Sequence, residues 1–89
     1  MPTVLVPTAY RGPTRGQAEV VVEGATVRAC LEAVEVQFPH FIEQVLDPAG
    51  QVHRFVKLFV NEEQIDNAAV DMAVNPDDRV EVLAAIAGG

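Results

Sequence analysis

The sequence predicts an α+β fold, a mixed sheet packed on one main helix. Three observations carry that prediction. Two short strand-like runs at the start are separated by a Gly/Pro-rich cluster. A single amphipathic run at helical spacing follows them, and two further alternating apolar runs come after it, the second reaching residue 86.

Thr3-Val4-Leu5-Val6 forms the first predicted strand, and Pro7 marks where its ladder pairing weakens. Arg11-Gly12-Pro13-Thr14-Arg15-Gly16 is a turn by composition. Ala18, Val20 and Val22 then alternate with Gln17, Glu19 and Glu23, the period of a half-buried strand, so the two runs make a hairpin with a long turn. Thr26 is placed to cap a helix on which Val27, Cys30, Leu31, Val34 and Phe38 share one face. Pro39 disfavours helical geometry at Phe38 and ends it.

The connection over 40–52 holds a turn at Asp47-Pro48-Ala49-Gly50 and a short second helix from Phe41 to Val45. The next strand is expected over His53 to Val60, with Val56, Leu58 and Val60 on one face and Phe55, Lys57 and Phe59 on the other. Asn61-Glu62-Glu63 reads as a polar turn, and Ala68 to Val74 as a helical turn or loop closed by Asn75-Pro76-Asp77-Asp78. The last strand runs from Arg79 to about Ile86 and is apolar on nearly both faces, which suits the middle of a sheet. A helix that follows a hairpin and returns the chain to the same sheet is the outline of a β-grasp, ubiquitin-like fold. Residues 1–86 are then one domain and 87–89 a flexible Gly-Gly tail.

Composition narrows the function. Residues 1–59 carry a net charge of −1 and the last thirty residues −6, so nucleic acid is repelled. A basic partner is expected to be drawn to the end that presents the tail. The one cysteine forms no internal disulfide, which suits a reducing cytosol, and no apolar run approaches the roughly 18 residues of a membrane span. The expectation is a cytoplasmic protein that binds neither nucleic acid nor membrane. Cys30 sits on the apolar helix face as a small hydrophobe. His40 and His53 lack the companions a metal site needs, and the acids form no dyad. No metal site or catalytic residue is expected, and one cysteine excludes an iron–sulfur cluster.

The remaining chemistry lies in "LAAIAGG", Leu83 to Gly89. A terminal Gly-Gly arises by chance in roughly 0.5% of chains at average glycine usage, so the pair needs its context as the end of a β-grasp strand. Ala87, Gly88 and Gly89 can thread a narrow channel because glycine tolerates backbone angles closed to other residues. Extended from Ala84, the last six residues reach about 20 Å, enough to deliver the Gly89 carboxylate into another protein's site. A free carboxylate is a poor acyl donor, and adenylation removes that obstacle. If Gly89 is the encoded terminus, no proteolytic maturation is needed. Phe55, Phe59, Leu83 and Ala85 are expected to face away from the helix as a partner-binding patch beside an acidic rim.

"HRFVKLFVNEE" (His53–Glu63), the long connection before it and "LAAIAGG" together resemble the ubiquitin-like sulfur carriers of the MoaD/ThiS superfamily, most of all the CysO-type carriers of cysteine biosynthesis. The resemblance covers most of the chain. It implies a protein with no cofactor of its own, whose Gly89 carboxylate is adenylated by an E1-like enzyme using ATP. Sulfide or a persulfide then replaces AMP to leave a thiocarboxylate. The implied partners are that adenylating sulfurtransferase and a sulfur-accepting synthase, pyridoxal-phosphate-dependent in the CysO-type route. A metalloprotease then releases the product. In this reading the protein is a reagent and not an enzyme. The same activated tail also serves a ubiquitin-like modifier joined through Gly89 to lysines, or the small subunit of a molybdopterin-synthase-like complex.

Overall fold

The computed structural model describes residues 1–6 and 18–84, without the side chain of Ala84. Its elements are β1 (Thr3–Leu5), β2 (Glu19–Val21), α1 (Val27–Gln37), β3 (Val56–Val60), β4 (Glu63–Ile65) and β5 (Arg79–Ala84). Two 3₁₀ turns, Ile42–Gln44 and Asn67–Ala69, lie in the connections. The five strands form one sheet in the order β2-β1-β5-β3-β4. β5 is the central strand, parallel to β1 and antiparallel to β3. Val80 and Val82 of this strand are buried in the core, while Leu83 on its other face is 39% exposed. This is the β-grasp arrangement.

Local chemistry sets the helix. Thr26 is extended (φ −134°), and its Oγ1 accepts the Ala29 amide at 3.1 Å, satisfying one of the first-turn donors. Val27, Cys30, Leu31, Val34 and Phe38 are all buried against the sheet, as their spacing predicts. After Phe38 the chain reverses through His40 at φ 80°, an unusual angle for a residue with a side chain. The Glu35 carboxylate supports this reversal by accepting the amides of His40 (3.0 Å) and Ile42 (2.8 Å). Phe41 and Val45 are thereby driven into the core from either side of a 3₁₀ turn, where a short helix was expected over 41–45.

Val4, Val20, Val56, Leu58, Val60, Val80 and Val82 supply the sheet side of the core. Each such side chain contributes about 1.5–3 kcal/mol on burial. At Asp47 to Gly50 the expected turn forms: the Gly50 amide donates to the Asp47 carbonyl at 2.9 Å, and Gly50 takes φ 84°.

Two expectations need correction. The strand expected over 53–60 starts at Val56, because residues 53–56 make a turn in which the Val56 amide donates to the His53 carbonyl at 2.9 Å. Strand β4 has no counterpart in the sequence reading, which ends the hairpin as a polar turn. Val60 pairs with Glu63, so Asn61 and Glu62 form a two-residue loop with φ of 52° and 71°. Positive φ at both positions is the signature of a type I′ hairpin turn. The Gly/Pro-rich cluster of 11–16, Pro7, and residues 85–89 of the last strand and tail lie outside the described residues.

Candidate functional site

The register of β3 against β5 places the site. Val56 pairs with Ala84, Lys57 with Leu83, Leu58 with Val82 and Phe59 with Glu81. The turn at 53–56 therefore stands beside the point where β5 hands over to residues 85–89. Asn67 fixes this turn, because its Nδ2 donates to the carbonyls of both Val56 (2.9 Å) and His53 (3.3 Å). The His53 ring stacks on Phe55, with centroids 5.0 Å apart and planes 12° from parallel, and its Nε2 lies 3.2 Å from the Glu43 carbonyl. The root of the tail thus emerges next to a turn braced from two directions.

A second brace sits behind it. Arg28 on α1 donates to both Asp71 carboxylate oxygens (2.7 and 3.4 Å) and to the Gly50 carbonyl at 2.6 Å. It joins the helix, the 47–50 turn and the segment after Asn67–Ala69. The guanidinium hydrogen bond holds the Asp71 carboxyl below the usual carboxylate range, and the same bond raises Arg28.

The sequence-predicted patch is only partly assembled. Leu83 (39% exposed) faces away from the helix, as its alternation requires. Phe59 shares that face but is half-buried and pairs with Glu81, so it reaches Leu83 only diagonally. Phe55 is 45% exposed, yet it belongs to the turn before β3 and not to the strand, so its place on the strand's outer face is corrected. Lys57 occupies the position across from Leu83. Ala85, Ala87, Gly88 and Gly89 lie outside the described residues.

Asn67, which braces the turn, escaped the sequence reading: its two contacts lie 14 and 11 residues back, and no local pattern announces them. In the sequence His53 and Arg54 belong to the stretch that resembles the sulfur carriers, which assigns them no chemical role.

Among the described residues no group of three His, Cys, Asp or Glu side chains could hold a metal ion. Burial pushes the Cys30 thiol up, with Asp78 adding to the effect, so at neutral pH it is a protonated core group and a weak nucleophile. No helix among the described residues is long and apolar enough to cross a membrane. What the geometry offers is an exposed Leu83 near the end of a strand whose sequence continues to Gly88-Gly89.

Known proteins share this fold. The sulfur carrier protein CysO of Mycobacterium tuberculosis, and that of Mycobacterium bovis, are each 36% identical to the chain over 90 residues, covering 98% of it and 97% of the relative. The CysO chain of an Amycolatopsis orientalis BexX/CysO complex superposes with a TM-score of 0.88 at 32% identity, over the whole of both chains. Mycobacterium tuberculosis CysO alone superposes at 0.87 and 32%, covering 97% of this chain and all of that one. The small archaeal modifier protein 1 of Methanosarcina acetivorans, at 0.84 and 15% identity over 99% and 95%, shares the fold. The sequence profile of the ThiS family matches residues 4–89, and with these relatives it establishes that the chain belongs to the ThiS family.

Proposed function

We propose that this protein is a sulfur carrier whose reactive group is the Gly89 carboxylate. The observation that carries the reading is identity of 36% along nearly the whole chain to proteins named as sulfur carriers, in a chain whose sequence runs from β5 into Gly88-Gly89. In this reading residues 1–86 are the β-grasp domain and residues 87–89 its tail. Ala87 and Gly88 give that tail the slimness to enter a channel.

The chemistry follows from the terminus. A carboxylate oxygen of Gly89 attacks the α-phosphorus of ATP on an E1-like enzyme, and pyrophosphate leaves. Hydrosulfide then attacks the acyl carbon, the C–S bond forms and AMP departs with the electron pair of the C–O bond. The product is a thiocarboxylate, a soft nucleophile tethered to a carrier and unable to diffuse as free sulfide does. It donates sulfur to a synthase that makes cysteine or another sulfur-containing metabolite. In a cysteine route that synthase holds its acceptor on pyridoxal phosphate, and a metalloprotease frees the product. ATP, pyridoxal phosphate and any metal belong to these partners. A BexX/CysO complex exists for the similar carrier, which supports a partner enzyme for this one. The protonated, buried Cys30 and the lack of other cysteines suit the cytoplasm as the place of work.

Docking in this reading uses Leu83, Phe55, Phe59 and Ala85. The test is incubation with the cognate adenylating enzyme, ATP and a sulfide source, followed by intact-mass spectrometry. One Gly89 oxygen is expected to be replaced by sulfur. Unmodified protein, with an enzyme proven active on another carrier, would sink the reading.

A further inference from the structure

The charges of this chain are sorted along β5. At the end where that strand begins, Asp77 and Asp78 precede Arg79, and Asp78 Oδ1 accepts from Asn61 Nδ2 at 2.9 Å. Asn61 leads into Glu62 and Glu63 of the β3–β4 hairpin, so four carboxylates gather there. The tail departs from the other end, at the Ala84–Val56 pair. Six residues of strand separate the two ends by about 17 Å. Four of the seven acids in the last thirty residues are thus gathered away from the tail root, a placement that argues against their drawing a basic partner to the tail.

The tail root carries the chain's unpaired cations among the described residues. Among the described residues, Arg28 is paired with Asp71 and Arg79 with Glu19 at 3.0 Å. Arg54 and Lys57 form no ion pair there, and both are exposed. Arg54 lies within the 53–56 turn and Lys57 stands across from Leu83, so two cations without an ion pair lie on the segment that leads into the Ala84–Val56 pair. The acids nearest by connectivity are Glu81, which pairs with Phe59 and so lies diagonal to Lys57 on the same face, Asp66, which precedes the Asn67 that grips the turn, and Glu43, whose carboxylate lies 3.6 Å from His40 Nδ1.

We infer that Arg54 and Lys57 are the docking cations of this carrier, and that the tail-accepting enzyme lines the mouth of its channel with carboxylates. The inference rests on the sulfur-carrier reading and names the chemistry of the partner surface. A guanidinium matches a carboxylate with two parallel hydrogen bonds, and an ammonium adds a point charge beside Leu83. The acidic far end reinforces the choice of orientation, since an acidic rim repels Glu62, Glu63, Asp77 and Asp78 and attracts only the end from which the tail leaves.

The experiment compares two variants of equal net charge by stopped-flow association with the adenylating enzyme. Arg54→Gln/Lys57→Gln removes the cations, and Val36→Glu/Met72→Glu adds two acids at exposed positions on α1 and after the Asn67–Ala69 turn. At low ionic strength the first is expected to associate about tenfold more slowly than wild type and the second less than about twofold more slowly. The gap should close as salt rises through about 0.1 M, where screening acts over about 10 Å. The carrier KM for sulfur acquisition should rise with it, by more than any change in kcat, and the thermal midpoints should match. Equal slowing of both variants, or faster association of the first, overturns the inference while sulfur acquisition by wild type leaves the carrier reading intact. Wild type that neither associates nor gains sulfur overturns both.

Discussion

Leu83 and Lys57 face one another across the antiparallel pairing of β3 with β5, one step in from the Ala84–Val56 pair at the tail root. An apolar side chain at that place, 39% exposed and turned away from the helix, contributes little to the core. Truncating a well-packed anchor at an interface centre commonly costs more than about 1 kcal/mol of binding. Leu83→Ala is therefore expected to weaken partner binding roughly tenfold, at 1.4 kcal/mol per decade, and barely to move a denaturant melt. Calorimetric titration beside the melt decides it. A collapsed melt with unchanged affinity per folded molecule would make Leu83 a core residue.

Removal of Gly89 separates chemistry from folding. Deleting that residue should abolish sulfur acquisition in the mass-spectrometric assay and leave the thermal midpoint within about a degree or two of wild type, since a terminal residue beyond the last ladder contributes little to folding. A large fall in the midpoint would show that the tail packs on the domain.

Glu62 occupies the second position of the β3–β4 loop at φ 71°, where glycine is the preferred residue. Replacing it relieves left-handed strain of roughly 1–2 kcal/mol and gives back part of that as unfolded-chain entropy. Glu62→Gly is expected to stabilise by about 0.5–1 kcal/mol, a rise of several degrees for a domain of this size. Asn61→Gly should do the reverse. Asn61 donates to Asp78 and its Oδ1 accepts the Arg79 amide at 2.9 Å, and glycine loses both bonds. Thermal melts of the two variants that move in the same direction would refute this account of the turn.

Asp78 predicts an acid dependence. The Asn75 amide donates to Oδ2 at 2.8 Å and Asn61 to Oδ1, and these bonds hold the carboxyl below its usual value. A depressed folded value favours the ionised form, so its stabilisation is present above the unfolded pKa and lost as pH falls through the folded one. Asp78→Asn should melt below wild type at pH 7, with the gap narrowing as pH falls from about 5 towards 2. A gap that stays constant over that range assigns the loss to shape and not to charge.

The sequence made the helix legible because its signals are local: Thr26 at one end, Pro39 at the other, and five apolar residues at helical spacing between them. The central place of β5 was legible from side chains apolar on both faces. Strand β4 was not, because "EQI" is short and polar, as edge strands are, and Glu62 stands where glycine would announce a hairpin. The start of β3 was misplaced because the alternation in His53-Arg54-Phe55 continues that of the strand. What stops the strand is Asn67, which grips the turn from beyond the hairpin. The charge sorting was hidden for a related reason: acids close to the tail in sequence are carried to the far end of the sheet by the length of one strand.

The parallel pairing of β1 with β5 couples Thr3 to Arg79 and Leu5 to Glu81. On the ribosome, β1 emerges first and waits for nearly the whole chain before its inner neighbour exists. The N-terminal hairpin and α1 meanwhile have half a sheet to cover, with Val4, Leu31 and Leu58 lacking the valines of β5 beneath them. Such long-range closure slows folding and lengthens the time during which apolar surface is open to chaperones and proteases. Nascent carriers should therefore become protease-resistant in one late step, when β5 slides between two strands that cannot pair with each other without it.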